Sequence, residues 1–284
     1  MVTGATAGIG RQAAYDFARE GAFVIGIGRN PQRCAEAQRK IKESFPDAHV
    51  VFLVADLASQ KQVHKLADEL DQLLNENRFK ALDILVNNAG VYIGKKTFTE
   101  DGIETTFAVN HLAPFLLTHL LIPRLSKSPD GRVITVSSDS HYHTQLNPEK
   151  ARNPLFYFGL TAYKVSKLCN ILFSLRLNQL TNWQSPHAFA VDPGLVNTDI
   201  GMKETGTLAS LVWRNRKNLG VPAEVPSRTI LYLANDPGVL QSHEVYWHDC
   251  QSKQPARKAL DSKLAERLWI ESCKLTGVNS PYGG

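Results

Sequence analysis

The sequence predicts an α/β protein: one doubly wound, mostly parallel sheet of seven strands with helices on both faces. Three observations predict it. A glycine-rich turn, Met1-Val-Thr-Gly-Ala-Thr-Ala-Gly-Ile-Gly10, opens the chain. Runs of strand length are apolar on both faces, as in sheets covered on both sides. Between them the apolar residues recur at helical spacing. Alternating strands and helices give right-handed crossovers, which place ligands at the carboxyl ends of the strands.

Each element follows from its pattern. Only Met1 to Thr3 precede the first glycine, so the first strand is expected to be a truncated stub. Ile9, Ala13, Ala14, Phe17 and Ala18 mark a helix that Gly21 stops. Ala22 to Ile27 is a buried strand, Pro31 to Ser44 a polar helix, and His49 to Val54 a second buried strand ending at Asp56 and Leu57. Gln60 to Asn75 is amphipathic through Val63, Leu66, Leu70, Leu73 and Leu74. Leu82 to Val86, Arg132 to Val136 and Phe189 to Val191 supply further strands, with two long helical stretches around the second of these. Ala256 to Thr276 carries Leu260, Leu264, Leu268 and Ile270 and reads as a structural or oligomer-contacting helix, which leaves a homodimer open. No composition shift marks a linker, so residues 1–284 are expected to form one domain. Its dinucleotide-binding half would be 1–136 and its catalytic and substrate-binding half 137–284.

Composition narrows the function. An apolar content of 43% is enough for one sizeable core. The formal charge of +5 comes from scattered cations without an aromatic-interleaved basic run, so nucleic acid is not expected as a partner. Cys34, Cys169, Cys250 and Cys273 have no CxxC spacing and fit reduced thiols. No apolar run reads as long enough to span a bilayer. As given, the chain reads as cytoplasmic; an anchor upstream would place it at the endoplasmic reticulum membrane.

Gly4, Gly8 and Gly10 allow a tight turn and close approach of backbone to a pyrophosphate, with the following helix aiming its N–H groups at the anion. NAD-binding folds place an acid at the end of the second strand, whereas a 2′-phosphate is repelled by an acid and attracted by arginine. Gly28 and Arg29 stand there, which favours NADP(H) over NAD(H). Asp56 can accept from an adenine amino group. Tyr163 and Lys167 lie four apart in a helical stretch, so both project from one face. The ammonium is expected to lower the phenol pKa toward working pH, as an acid/base for alcohol–carbonyl interconversion requires. Tyr92 and Lys96 share that spacing but flank Gly94 after a strand, so they are assigned to a loop without a catalytic role. Ser138, just past a strand end, can bond a substrate oxygen, and Asn110 could hold a water beside the lysine. His141 and His143 lack a suitably spaced third ligand, so no metal is expected.

The motifs TGATAGIG at 3–10, Asp56-Leu57, NNAG at 87–90, Asn110, Ser138, YKVSK at 163–167 and DPGLVNT at 192–198 resemble the short-chain dehydrogenase/reductase family over nearly the whole chain. The surrounding wording resembles its retinol-dehydrogenase-like branch. The resemblance implies a Rossmann-type fold and a catalytic tetrad of Asn110, Ser138, Tyr163 and Lys167. Tyr163 would be the proton donor or acceptor, and Lys167 would also hold the nicotinamide ribose. Ser138 would orient the carbonyl. Gly4, Thr6, Gly8, Ile9, Gly10, Arg29, Asp56 and Leu57 would contact the cofactor. Asn88, Ala89 and Gly90 would line its adenosine side, and Pro193 to Thr198 the nicotinamide. Asp192 stands where retinol dehydrogenases frequently have histidine, which weighs against a retinoid substrate.

The expected activity is NADP(H)-dependent interconversion of a lipophilic alcohol, retinoid-like or polyprenoid-like, with its aldehyde or ketone. Two alternatives remain open: a ketoreductase for small or acyl-carrier-bound substrates, and a non-catalytic dinucleotide-binding regulator. Segment 203–217 mixes Leu208, Leu211, Val212 and Trp213 with Lys203, Arg214, Arg216 and Lys217, a composition suited to a substrate lid or peripheral membrane contact.

Overall fold

The structure, a computed structural model, describes residues 1–196 and 220–280. The strands are β1 (Val2–Thr3), β2 (Val24–Gly28), β3 (Val50–Val54), β4 (Ile84–Asn87), β5 (Arg132–Val136), β6 (His187–Val191), β7 (Tyr246–His248) and β8 (Gln251–Ser252). The main helices are α1 (Gly8–Arg19), α2 (Pro31–Ser44), α3 (Gln60–Glu76), α4 (Thr105–Leu125), α5 (Gly159–Leu180), α6 (Glu224–Asn235) and α7 (Ser262–Thr276). All strands join one sheet in the order β3-β2-β1-β4-β5-β6-β7-β8. The chain reverses direction across the sheet between β1 and β4, which opens a crevice at their carboxyl ends.

The stub is completed by its neighbours. Val2 pairs in parallel with Gly26 and with Val86, and Thr3 with Ile27. Met1 extends the ladder: its amino group donates to Ile84 O at 2.8 Å, and its carbonyl accepts from Val86 N–H at 2.9 Å. The flanking strands hold both edges of its backbone.

The sheet has eight strands rather than the expected seven. β8 runs antiparallel to β7, with Trp247 opposite Ser252 and His248 opposite Gln251. The two residues between them, Asp249 and Cys250, both have positive φ, 46° and 61°. That geometry is what a two-residue hairpin of right-handed twist requires, here without the glycine that usually announces it.

One face of the sheet is covered by α1 and α6, where Ala13, Ala14 and Phe17 share a core with Ile230 and Leu233. Asp16 and Ser227 hydrogen-bond at 2.6 Å inside that contact. The other face packs on α3, α4 and α5. α4 is long and apolar enough to cross a membrane, contrary to the sequence expectation, yet most of it is buried inside the protein, as befits a core helix.

α7 covers that second layer. Its ring Trp269 meets Phe115 edge-on at 4.9 Å and lies 6.0 Å from Phe173, nearly parallel. The helix begins at Ser262, not near Ala256, because Asp261 caps it through Lys263 N–H and Leu264 N–H. Leu264, Ala265, Leu268 and Trp269 turn inward, whereas Leu260 and Ile270, expected on the apolar stripe, are 42% and 48% exposed. The apolar stripe is thus occupied by the chain's own core. Trp269→Ala is expected to lower stability by about 3–5 kcal/mol, measured by urea unfolding, because the ring fills a site that α4 and α5 cannot collapse into.

Candidate active site

The glycine turn sits at the centre of the crevice. Gly4 (φ 66°) and Gly8 (φ 52°) adopt backbone that disfavours side chains. Gly10 is required by contact: a Cβ there would lie 2.2 Å from Asn88 Nδ2 and 2.5 Å from Gly4 O. Thr3 ties this turn to the end of β4. Its hydroxyl oxygen accepts from Asn88 N–H at 3.0 Å and Ala89 N–H at 3.1 Å, while Asn88 Nδ2 donates to Thr3 O at 2.9 Å. Helices α2, α3 and α7 are capped by Asn30, Ser59 and Asp261, but Ala7 offers α1 no side-chain cap, and its first turn carries no acid. First-turn N–H groups left uncapped in this way fit the pyrophosphate of a dinucleotide. Thr6 and Ile9 are half-buried in the same turn.

At the end of β2, position 28 has no room for a side chain. A Cβ on Gly28 would stand 2.5 Å from Thr6 Cγ2 and 2.7 Å from Cys34 Sγ. The acid of NAD-specific folds has no place there, and the next residue, Arg29, is exposed. Asp56, past β3, accepts from Ala58 N–H at 3.0 Å, and Leu57 packs against the core. Pro193 follows the buried Asp192 beyond β6. Thr198 and segment 203–217 lie outside the described residues.

Tyr163 and Lys167 stand one turn apart on α5, with the ammonium 5.4 Å from the phenol ring centroid. Lys167 Nζ donates to Val136 O at 2.9 Å, and Ser137 Oγ donates to Lys167 O at 2.7 Å, so the end of β5 fixes the lysine from both sides. Ser138 follows, its hydroxyl accepting from Ser140 N–H at 3.1 Å, and stands close enough to the Tyr163 phenol to oppose the rise in its pKa. Asn110 lies in a π-helical turn of α4, Ala108–Leu112, a widening often found at functional sites. Its amide is clamped: Val91 N–H donates to Oδ1 at 2.7 Å, and Nδ2 donates to Val91 O at 2.9 Å and to Ser166 Oγ at 3.0 Å. Gly90 joins the two sides, since a Cβ there would be 3.4 Å from Asn110 Oδ1 and 3.7 Å from Lys167 Nζ. The structure therefore gathers Asn110, Ser138, Tyr163 and Lys167 in one place.

The protonation expected for this pair needs correction. Tyr163 is not pulled toward neutrality by its lysine. Burial pushes the phenol up to about 12, the charge of Asp192 adds to the rise, and the Ser138 hydrogen bond opposes it. Burial likewise lowers Lys167 to about 8. Desolvation disfavours the charged form of each group. The resting phenol holds its proton at neutral pH, while the lysine keeps most of its charge.

Several residues at the site carried no functional assignment from sequence. Lys253, beyond β8, bridges Asp139 and Asp192. His141, weighed above only as half of a metal pair, is buried with both ring nitrogens engaged, Nδ1 at 2.8 Å from Ser138 O and Nε2 accepting from Ala256 N–H at 3.0 Å. Those partners fix the neutral tautomer with the proton on Nδ1. Tyr92 packs its ring 6.0 Å from that of Tyr163. Lys96, its companion in spacing, points away and donates to Asn153 Oδ1 at 2.6 Å and Pro154 O at 2.7 Å. These partners are separated by tens of residues and follow no local period. Only the buried Asp before Pro-Gly offered a signal.

A doubly wound sheet with an uncapped glycine turn, and a serine, tyrosine and lysine at its carboxyl edge, defines a dinucleotide-dependent oxidoreductase. The family model described as short chain dehydrogenase matches residues 1–208, and the chain belongs to that family, in its retinol-dehydrogenase-like branch. It is an NAD(P)-dependent oxidoreductase acting on alcohol or carbonyl groups. It is 34% identical to retinol dehydrogenase 12 of Mus musculus over 278 residues, covering 98% of this chain and 86% of that protein. It is 34% identical to polyprenol dehydrogenase of Homo sapiens, covering 98% and 84%. Among solved structures, an uncharacterized protein from Mycobacterium Paratuberculosis superposes with a TM-score of 0.75 at 30% identity, covering 98% of this chain and 93% of that one. A short chain dehydrogenase from Escherichia coli CFT073 complexed with NADPH shares the fold, with a TM-score of 0.68 at 23% identity, covering 88% and 95%.

Gly10→Ala is expected to lower stability by about 1–3 kcal/mol in chemical denaturation, and to weaken cofactor binding in a fluorescence titration, because the methyl group must displace the Asn88 amide or the Gly4 carbonyl.

Proposed function

We propose that the chain interconverts a lipophilic alcohol and its aldehyde or ketone using NADP(H), with Tyr163 as the acid/base. The observation that carries the proposal is the convergence of Ser138, Tyr163 and Lys167 on one sheet edge, with the Lys167 ammonium 5.4 Å from the phenol ring centroid. Bound NADP(H) supplies or accepts the hydride. Ser138 orients the substrate oxygen, and Tyr163, protonated at neutral pH, donates to that oxygen in reduction or receives the alcohol proton in oxidation. The Lys167 ammonium, 5.4 Å from the phenol ring centroid, favours the phenolate as it forms. Asn110, clamped between Val91 and Ser166, holds α4 against α5 beside the lysine.

The turn at Gly4 to Gly10 would hold the pyrophosphate, and Asp56, Leu57, Asn88, Ala89 and Gly90 would line the adenosine side, with Pro193 and Thr198 toward the nicotinamide. The preference for NADP(H) rests on Gly28, whose missing side chain excludes an acid, and on the exposed Arg29 beside it. A lipophilic substrate is supported by the names of the retinol and polyprenol dehydrogenase relatives. It is further supported by Leu155, Phe156 and Phe158, which stand 86%, 80% and 70% exposed just before α5.

Tyr163→Phe is expected to reduce kcat by about 10²–10⁴-fold toward long-chain prenols and retinol, with NADPH affinity unchanged. Turnover that survives the substitution would refute the assignment. Arg29→Ala is expected to weaken NADPH about ten- to a hundredfold while leaving NADH unaffected, since it removes one charge-assisted contact to the 2′-phosphate. Equal titrations of the two cofactors by the unaltered chain would refute the preference.

A further inference from the structure

Three segments distant in sequence meet beside Ser138 and Tyr163. Ser138 leads into the turn Asp139–His141, Asp192 follows β6, and Lys253 follows β8. Lys253 Nζ lies 2.7 Å from both carboxylate oxygens of Asp139 and 2.8 Å from Oδ2 of Asp192. Asp192 is 1% exposed, and its Oδ1 accepts from Gly194 N–H at 3.0 Å and from Asp139 N–H at 3.3 Å. The same strap makes two further ties: Tyr142 Oη donates to Gln254 O, and Ala256 N–H donates to His141 Nε2. Residues 253–256 therefore bind the Ser138 loop and the Asp192 loop to each other.

This arrangement has an electrostatic consequence. A buried carboxylate facing the phenol opposes phenolate formation, and Asp192 is that carboxylate. Burial also works against ionisation of Asp139, and its interactions with Lys253, Asp192 and Tyr246 together outweigh that penalty. The Lys253 ammonium, 2.8 Å from Asp192 Oδ2, offsets part of the Asp192 charge that Tyr163 meets.

We propose that Lys253 is a positioning residue for the reaction: by bridging Asp139 and Asp192 it locks the Ser138 loop to the Asp192 loop and offsets the Asp192 charge beside Tyr163. The inference rests on Tyr163 being the acid/base. The charged and titratable groups around the phenol are Lys167 on α5, Asp139 and His141 after β5, Asp192 after β6, and Tyr92 after β4. Tyr246 and His248 of β7 flank the cluster, the first donating to Asp139 Oδ1 at 3.2 Å and the second with Nδ1 3.5 Å from Asp192 Oδ2. Among the described residues, Lys253 is the cation that joins both carboxylates.

The test compares the full chain with Lys253→Met, Lys253→Arg, Asp192→Asn and Tyr163→Phe. Oxidation of geranylgeraniol at saturating NADP⁺ is followed across the pH range, with NADP⁺ affinity measured alongside. Lys253→Met is expected to move the bend of the kcat/KM profile upward by about one pH unit and to lower kcat/KM below it about three- to tenfold. Cofactor affinity should stay unchanged, and Lys253→Arg should restore the profile. Asp192→Asn should move the bend downward. Hydrogen exchange reads the tether without substrate: Lys253→Met should lose protection at both 138–142 and 192–196, and Lys253→Arg should keep it. An unmoved bend in Lys253→Met, equal impairment by Met and Arg, or unchanged protection overturns the proposal. If Lys253→Met does not fold, the direction of the Asp192→Asn shift decides. Turnover by Tyr163→Phe would defeat the acid/base assignment instead.

Discussion

A half-buried phenol and a buried ammonium on one turn of a helix are the constraint around which this molecule is arranged. Burial drives each toward its neutral form, raising Tyr163 to about 12 and lowering Lys167 to about 8. A charge in such surroundings persists only where fixed dipoles and partners hold it. Lys167 has the Val136 carbonyl at the end of β5, and Ser138, two residues beyond that strand, stands beside the Tyr163 phenol. The catalytic helix and the fifth strand are therefore one unit, joined also by Ser137 to the Lys167 carbonyl and by Asn170 Nδ2 to Val136 O at 3.1 Å.

That unit is useful only if the crevice beside it is held open at the right height. β1 is two residues long, yet it sets the height, because Thr3 bonds both backbone and side chain of the β4 terminus. Gly10 lets α1 press onto that junction, where a methyl group would collide with Asn88. Asn88, grouped by resemblance with the cofactor contacts, directs its amide to Thr3 O. Any cofactor contact it makes comes from a residue that is first a clamp for the turn. The uncapped start of α1 is consistent with this division, with backbone N–H groups left to face an anion and side chains left to build the cradle.

How much of this was legible follows from the range of the interactions. Elements built on local periodicity appear where the pattern put them: α2 over Pro31–Ser44 and β5 over Arg132–Val136. Tyr163 and Lys167 share a helix face because their spacing is itself the geometry. The hairpin at Asp249–Cys250 escaped because its positive φ angles fall on residues without a glycine signal. The stripe at 260–270 was misjudged because Asp261 caps the helix there and shifts the buried face to Leu264, Ala265, Leu268 and Trp269. The tyrosine pKa was expected in the wrong direction because spacing reveals a neighbouring charge but not the loss of water around it.

The same distinction explains why Asp192 reads differently in sequence and in structure. In sequence it is a departure from the histidine frequent in retinol dehydrogenases, and it bears only on substrate choice. In the fold it is a nearly inaccessible carboxylate directed at Gly194 N–H, Asp139 N–H and Lys253. A lone buried carboxylate next to a phenol would make proton transfer harder in the direction that needs phenolate. Removing water from a carboxylate is tolerable only with a cation and hydrogen-bond donors in place, and breaking such a pair is more disruptive than never having had it. Substitution at this position therefore cannot be isolated from Lys253, which lies 61 residues further along the chain, as the separation of the bonded partners records. The surroundings of Tyr163 are set by a strap from the far edge of the sheet as well as by the helix that bears the tyrosine.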